Sequence, residues 1–415
     1  MNPTGFRCYS CSAVQPSSFS GFTCPVCGQN LEVLYDYAAA ARMPFLDRDD
    51  IFRYAPLLPL RNLDLIPRVR VGQTPLYRTD RLDAVAGGAE VWVKDDGQNP
   101  SDSFKDRAGA VALAVARERG ATVIAGATTG NAGSSMACLA ASVGMSCVIF
   151  LPEKAPPAKV AQLLVFGAKV IAVRGTYDDA FDLCGEVCKA RGWFNRNTGS
   201  NPFTREGKKT CSFEVWEQLG RQVPDWMVVC TGDGNIISGI WKGWRELKEL
   251  GLITKLPRLV CAQSERSAAI SQAVWAAQKA GGTPDWSKLQ IAPVQATTLA
   301  DSISVDIPRD GLAAVRAVIE SGGEAVTVAD EAILAAIPEL ARGSGVFAEP
   351  AAAASWACLK KLAATGKIKA GECAVCLVSG NGLKDVASAR RSVGDPVVID
   401  ATIEAAQQAI DALRV

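Results

Sequence analysis

Apolar runs of four or five residues punctuate this chain, and the stretches between them have the length and composition of helices. The runs predict strands at 90–93, 123–127, 147–151, 170–173, 227–230, 259–262 and 374–378. Strands that alternate with helices imply parallel sheets in an α/β fold. The run from Asp106 to Arg119 is rich in Ala, Val and Leu and stops at Gly120, which predicts a helix with a glycine end. Ser101 or Ser103 can cap its first turn, after a loop at Asn99-Pro100. Gly120 to Pro152 is uncharged and long enough for a membrane helix, but TTGNAGSS breaks it into strand, loop, helix and strand. The alanine-rich runs at 313–317 and 351–354 read as close-packed helices, and residues 30–70, with several prolines and no sustained period, read as a connecting arm.

Composition narrows the chemistry more than the fold. With 415 residues, 48% hydrophobic and 21% charged, the chain can build a large core in two or three domains. Its 44 basic and 43 acidic side chains leave a net charge of +1, so no overall field draws it to nucleic acid or to an anionic membrane. A small anionic substrate remains compatible with that balance. There is no histidine, which excludes serine-histidine triads, histidine-ligated catalytic zinc and imidazole bases. Proton transfers must fall to lysine, carboxylate, tyrosine, cysteine, water or a cofactor. The opening MNPTGFRCYS lacks the basic-then-apolar order of a secretory signal, and fourteen cysteines then fit a reducing cytoplasmic compartment.

Cys8, Cys11, Cys24 and Cys27 form two C-x2-C knuckles twelve residues apart. Four thiolates in that spacing suit tetrahedral zinc, and a four-sulfur site has no open position, so the metal is expected to be structural. Cys373 and Cys376 have similar spacing but lie in an apolar strand that would bury them.

Lys105 stands in NPSDSFKDRA, where the predicted helix begins. The positive end of a helix dipole disfavours an ammonium and makes the nucleophilic amine easier to reach, which is how an imine-forming lysine is prepared. The run NPSDSFKDR resembles the cofactor-lysine motif of the threonine synthase family, NPTGSFKDR, with Asp102 at the usual Gly and Asp96 where many members have Glu. The resemblance extends from about residue 70 to residue 386. It implies a fold type II pyridoxal-phosphate enzyme, similar to the tryptophan synthase β chain, with two α/β domains and a small zinc ribbon. The expected division is a ribbon over 1–35, a large cofactor-binding domain over 36–110 and 210–400, a smaller domain over 111–209 and a C-terminal helix over 401–415.

Three glycine-bearing loops follow predicted strands and take roles from the same resemblance. ATTGNAGSS would gather backbone amides at a helix start, a ready anion site. The resemblance places Asn131 at the cofactor's ring oxygen, with Thr128, Thr129, Gly130 and Ala132 around the substrate carboxylate. In CTGDGNIISG, Gly232 and Gly234 allow backbone to approach a phosphate. Gly232, Asp233, Gly234, Asn235 and Ile236 are therefore the implied cofactor-phosphate residues, with Asp233 needing to point away. Ser379 in LVSGNGLKD takes the position that meets the pyridine nitrogen, where a neutral hydroxyl favours an unprotonated ring. NPFTREGKKT resembles the segment NPxRxEGKKT, whose Arg helps to bind the substrate phosphate. Here Thr204 occupies the usual Arg position and Arg205 comes one residue later, so both are candidate substrate residues. Lys208 and Lys209 can be read as a solvated charged edge.

The function implied is conversion of O-phospho-L-homoserine and water to L-threonine and phosphate by pyridoxal phosphate held on Lys105, in a cytoplasmic homodimer. A serine or threonine ammonia-lyase, or a related β-elimination or replacement enzyme, is the alternative on the same scaffold. A catalytically inactive zinc-ribbon binding protein is a third.

Overall fold

The ribbon forms because its strands alternate. β1 (Gly5–Cys8) pairs antiparallel with both β2 (Val14–Pro16) and β3 (Leu31–Leu34), and Phe6, Leu31 and Val33 point inward. This computed structural model describes residues 3–155 and 157–413, with the side chains of 157–159 outside the description. The first two residues of the expected ribbon, residue 156 of the expected smaller domain and the last two of the expected C-terminal helix thus lie outside the described residues.

Ten further strands follow: β4 (Leu76–Arg78), β5 (Glu90–Asp95), β6 (Val123–Ala127), β7 (Ser146–Pro152), β8 (Lys169–Val173), β9 (Phe194–Asn195), β10 (Trp226–Cys230), β11 (Arg258–Ser264), β12 (Glu324–Val328) and β13 (Cys373–Val378). They make a six-stranded sheet in the order β12-β11-β10-β13-β5-β4 and a four-stranded sheet in the order β8-β7-β6-β9. All pairings in both sheets are parallel except that of β4 with β5. In the centre of the larger sheet, Val228, Cys230, Cys376 and Val378 enter one core, while Met227, Val229, Val375 and Leu377 enter the other. Burial on both faces explains why these strands read as continuous apolar runs.

Every predicted strand is present; 123–127 has the expected bounds, and the others are extended by one or two residues at one or both ends. The arm at 30–70 is more ordered than its composition suggested. It supplies β3, and Ile51, Phe52, Tyr54, Leu57, Leu58 and Leu60 are all buried. Short 3-10 turns place these side chains without a helical period, so no periodic signal marks them. The sequence also gave no sign of β4, β9 or β12, which are short or lie at sheet edges. No helix of the described residues is long and apolar enough to cross a membrane.

Five helices matter below: α1 (Lys105–Glu118), α2 (Asn131–Ser142), α3 (Phe203–Lys208), α4 (Asn235–Glu249) and α5 (Pro350–Ala364). The loops that leave β5, β6, β10 and β13 all emerge from the carboxyl ends of parallel strands, the edge at which α/β sheets bind ligands.

Candidate active site

After β5 the chain turns sharply and enters α1, whose first residue is Lys105. The turn places Asp102 at φ +60°, a left-handed conformation that Asp tolerates and Gly adopts without strain. No serine caps α1. Instead the Ser101 amide and hydroxyl donate to the Asp106 carboxylate at 2.7 and 2.6 Å, so the acid of the first turn holds the loop from inside. Burial pushes the Asp106 carboxyl up, and the Ser101 hydrogen bonds oppose that.

Arg107 is fully buried and paired on both sides. Nε and Nη2 donate to Asp96 at 2.5 and 2.9 Å, while Nη1 and Nη2 donate to Glu214 at 2.6 and 2.7 Å. Lys94 Nζ donates to the same Glu214 at 2.8 Å. Burial raises the Glu214 carboxyl, but Arg107 and Lys94 outweigh it and hold the group at about 2. The KDR sequence thus anchors two charges in the core behind one amine. Gly207 lets α3 lie against this turn, since a Cβ there would meet the Arg107 carbonyl oxygen at 1.8 Å.

Lys105 is half-buried and opens onto a cavity of about 510 Å³. Thr128, Thr129, Gly130, Asn131 and Ala132 line it from the loop after β6, at the start of α2. Gly232, Asp233, Gly234 and Ile236 line it from the loop after β10, and Ser379 lines it from the end of β13. Gly234 has φ +96°, and a Cβ there would lie 2.7 Å from the Asp310 carbonyl oxygen, so only glycine serves. The Asp233 carboxylate folds back onto its own loop, accepting the Asn235 amide at 3.0 Å. Asn235 is not among the lining residues. Its Oδ1 accepts from Lys208 and Thr204, and its Nδ2 donates to Asp310 at 2.7 Å.

Thr204 and Arg205 are not brought to the cavity. Thr204 is fully buried and donates to the Asn201 carbonyl at 2.8 Å. Arg205 Nη2 meets both Asp310 oxygens at 2.5 and 2.6 Å, Nη1 donates to the Leu31 carbonyl and Nε to Ser238. Asp310 also accepts from Asn30 and Asn235, so Arg205 ties the ribbon to the loop after β10. A buried guanidinium with all three nitrogens engaged by the protein and paired with a carboxylate is not presented to a substrate phosphate. Lys208 and Lys209 are not a solvated edge either, because both are fully buried. Lys209 pairs with Glu206 and Glu246, whereas among the described residues Lys208 has only the neutral Asn235 oxygen. Burial, and then the charge of Lys105, push the Lys208 ammonium well down.

Sequence reading missed several residues of this cavity. Glu349, just before α5, accepts from Asn131 Nδ2 at 2.9 and 3.1 Å, and Cys230 Sγ lies 3.1 Å from Ser379 Oγ. Arg309 Nη2 donates to Asp178 at 2.6 Å, joining two lining residues from opposite sheets. Glu349-Pro350 carried a signal, since Pro at a helix start is common, but it pointed only to a helix boundary.

The four ribbon thiols all lie within 4.8 Å of one another. Cys8 and Cys27 are 3.4 Å apart, Cys11 and Cys27 3.5 Å, and Cys11 and Cys24 3.7 Å. Tetrahedral Zn–S bonds of about 2.3 Å require sulfurs about 3.8 Å apart, so the cluster has the size that zinc needs.

Residues 68–380 match the family described as pyridoxal-phosphate dependent enzymes. The chain is 37% identical to the threonine synthase of Methanocaldococcus jannaschii, over 95% of this chain and 96% of that protein. It is 38% identical to the threonine synthase of Methanosarcina acetivorans, over 97% of this chain and 98% of that one. Among solved structures, the processed form of threonine deaminase isoform 2 from Solanum lycopersicum superposes with a TM-score of 0.65 at 19% identity, covering 85% of this chain and 95% of its own. That likeness speaks to the fold. The lysine-bearing cavity and the near full-length relatives agree: this chain belongs to the pyridoxal-phosphate dependent enzyme family, on its threonine synthase branch.

Proposed function

We propose that the cavity converts O-phospho-L-homoserine and water to L-threonine and phosphate, with pyridoxal phosphate carried on Lys105. The carrying observation is the convergence of the loops after β5, β6, β10 and β13 on one cavity that Lys105 enters. When bound, the cofactor supplies the electron sink that stabilises negative charge at the substrate's α carbon. Lys105 is the only amine lining the cavity among the described residues, so it moves the protons at the α and β carbons. Backbone amides at the start of α2, with Thr128 and Thr129, receive the substrate carboxylate. Those of Gly232 and Gly234 receive the cofactor phosphate at the start of α4. Asn131, steadied by Glu349, would hold the ring oxygen of the cofactor, and Ser379 would hold its ring nitrogen. Phosphate departs from the γ carbon and water adds at the β carbon.

The assay is direct. Purified protein given O-phospho-L-homoserine is expected to release phosphate and L-threonine in equal amounts. A 2-oxoacid without threonine would overturn this reading in favour of the ammonia-lyase. The domain division anticipated from the sequence, the homodimer and the cytoplasmic compartment belong to the same proposal.

The sulfur spacing further supports a structural zinc held by Cys8, Cys11, Cys24 and Cys27. Metal analysis is expected to find about one zinc per chain. Because such a metal supplies most of the folding free energy of its small module, stripping it with a chelator should unfold the ribbon and lower the thermal midpoint. An unchanged melt after removal would reject a structural role.

A further inference from the structure

With Thr204 and Arg205 both outside the cavity, the substrate phosphate has no evident cationic partner. Arg309, the one guanidinium lining the cavity among the described residues, is paired with Asp178. A different arginine, Arg196, is not itself a lining residue but donates to the hydroxyl of Thr198, which is. Arg196 follows β9, and its amide donates to the Ala125 carbonyl of β6 at 2.8 Å. It is 2% exposed, and only Nη1 has a partner, the Thr198 hydroxyl at 2.8 Å. Nε and Nη2 are buried and have no hydrogen-bond acceptor, and no carboxylate pairs with Arg196 among the described residues.

Such a group is costly to the fold unless it awaits an anion, because a buried cation without a counter-ion loses its hydration for nothing in return. Burial accordingly pulls Arg196 down to about 10, and the charges it feels most are those of Asp233 and then Tyr177. Thr198, Tyr177 and Asp233 all line the cavity, so the guanidinium lies behind that stretch of wall.

We propose that Arg196 is the phosphate receptor for the substrate, binding a phosphate monoester through Nε and Nη2 and so supplying what Thr204 and Arg205 do not. A planar fork with two adjacent free donors matches two phosphate oxygens. The cofactor also carries a phosphate, but its seat is the loop after β10. Arg196 comes instead from the smaller sheet, directly after β9 and beside β6, whose loop is assigned above to the substrate carboxylate. The assignment rests on the reaction proposed above, and its test separates the two.

In steady-state kinetics with O-phospho-L-homoserine, Arg196→Gln is expected to raise KM about 10- to 100-fold, the loss of charge-assisted hydrogen bonds. It should change kcat less than about threefold, because the contact serves ground and transition state alike. Product inhibition by inorganic phosphate should weaken in parallel. Pyridoxal-phosphate affinity, read from the visible absorbance on titration, should be unaltered. Arg196→Lys, which keeps the charge but not the fork, should fall between wild type and Arg196→Gln. It carries the test if the glutamine variant does not fold. A wild-type KM and phosphate inhibition in either folded variant would overturn the assignment, as would weaker cofactor binding with an unchanged KM. If the wild type makes no threonine from O-phospho-L-homoserine, the reaction fails, and inorganic phosphate titrated into wild type and variants by calorimetry still decides Arg196. Equal binding by all of them then overturns the receptor.

Discussion

Lys105→Ala is expected to abolish the visible absorbance of the bound cofactor and to lower turnover by about 10⁴-fold or more, since both covalent attachment and the proton transfers depend on one amine. The fold should survive. Lys105 opens α1, where alanine is the best helix former, and it is half-buried at a cavity wall rather than in a core. Its removal also takes a like charge away from Lys208, whose ammonium Lys105 helps to push down. Stability is therefore expected within about 1 kcal/mol of wild type. Absorbance spectra, borohydride trapping with peptide mapping, and a denaturant melt check the three parts. Retention of a trapped adduct in Lys105→Ala would place the cofactor on another residue and sink the functional assignment.

Arg107→Met is the second large expectation, and here the damage is to the fold. The variant leaves Asp96 and Glu214 buried with Lys94 as the sole cation in the cluster. Breaking one side of a buried, hydrogen-bonded ion cluster costs about 3–5 kcal/mol, because the remaining charges stay desolvated. The first turn of α1 should loosen with it, weakening cofactor binding as well.

The pH dependence has a definite sign. Glu214 is held at about 2 against an ordinary value of 4.5, so it binds fewer protons folded than unfolded. Its stabilising contribution is present above about pH 4.5 and is lost as pH falls toward 2, and it amounts to roughly 3 kcal/mol at 1.4 kcal/mol per unit. The stability gap between wild type and Arg107→Met should therefore be largest near neutral pH and shrink between pH 4.5 and 2. Urea melts across that range measure it. A gap independent of pH would mean that Arg107 acts through packing alone.

These two variants mark where the motif could be read and where it could not. The lysine, its place at a helix start and the glycine loops around it were legible, because each depends on local spacing along the chain. That Arg107 would reach Glu214, 107 residues away, depends on packing of α1 against the helix Thr210–Gln218 that no local pattern encodes. Lys208 and Lys209 show the same limit. Adjacent lysines in a polar run look solvated until three helices close around them.

By itself the sequence determined the alternating strand and helix order, the paired cysteine knuckles, a lysine at a helix start and the glycine-bearing loops that follow β6, β10 and β13. Those features are written in apolar periodicity, cysteine spacing and glycine placement, all of which act over a few residues. Only the tertiary structure decided which arginine faces which partner. Arg205 and Arg196 stand nine residues apart in one segment and look interchangeable as cations. Folding brings Asp310 to the first and leaves the second buried with two unmatched donors. The identity of a buried charge's partner is set by elements distant in sequence, and it was there that the chain's chemistry could not be read in advance.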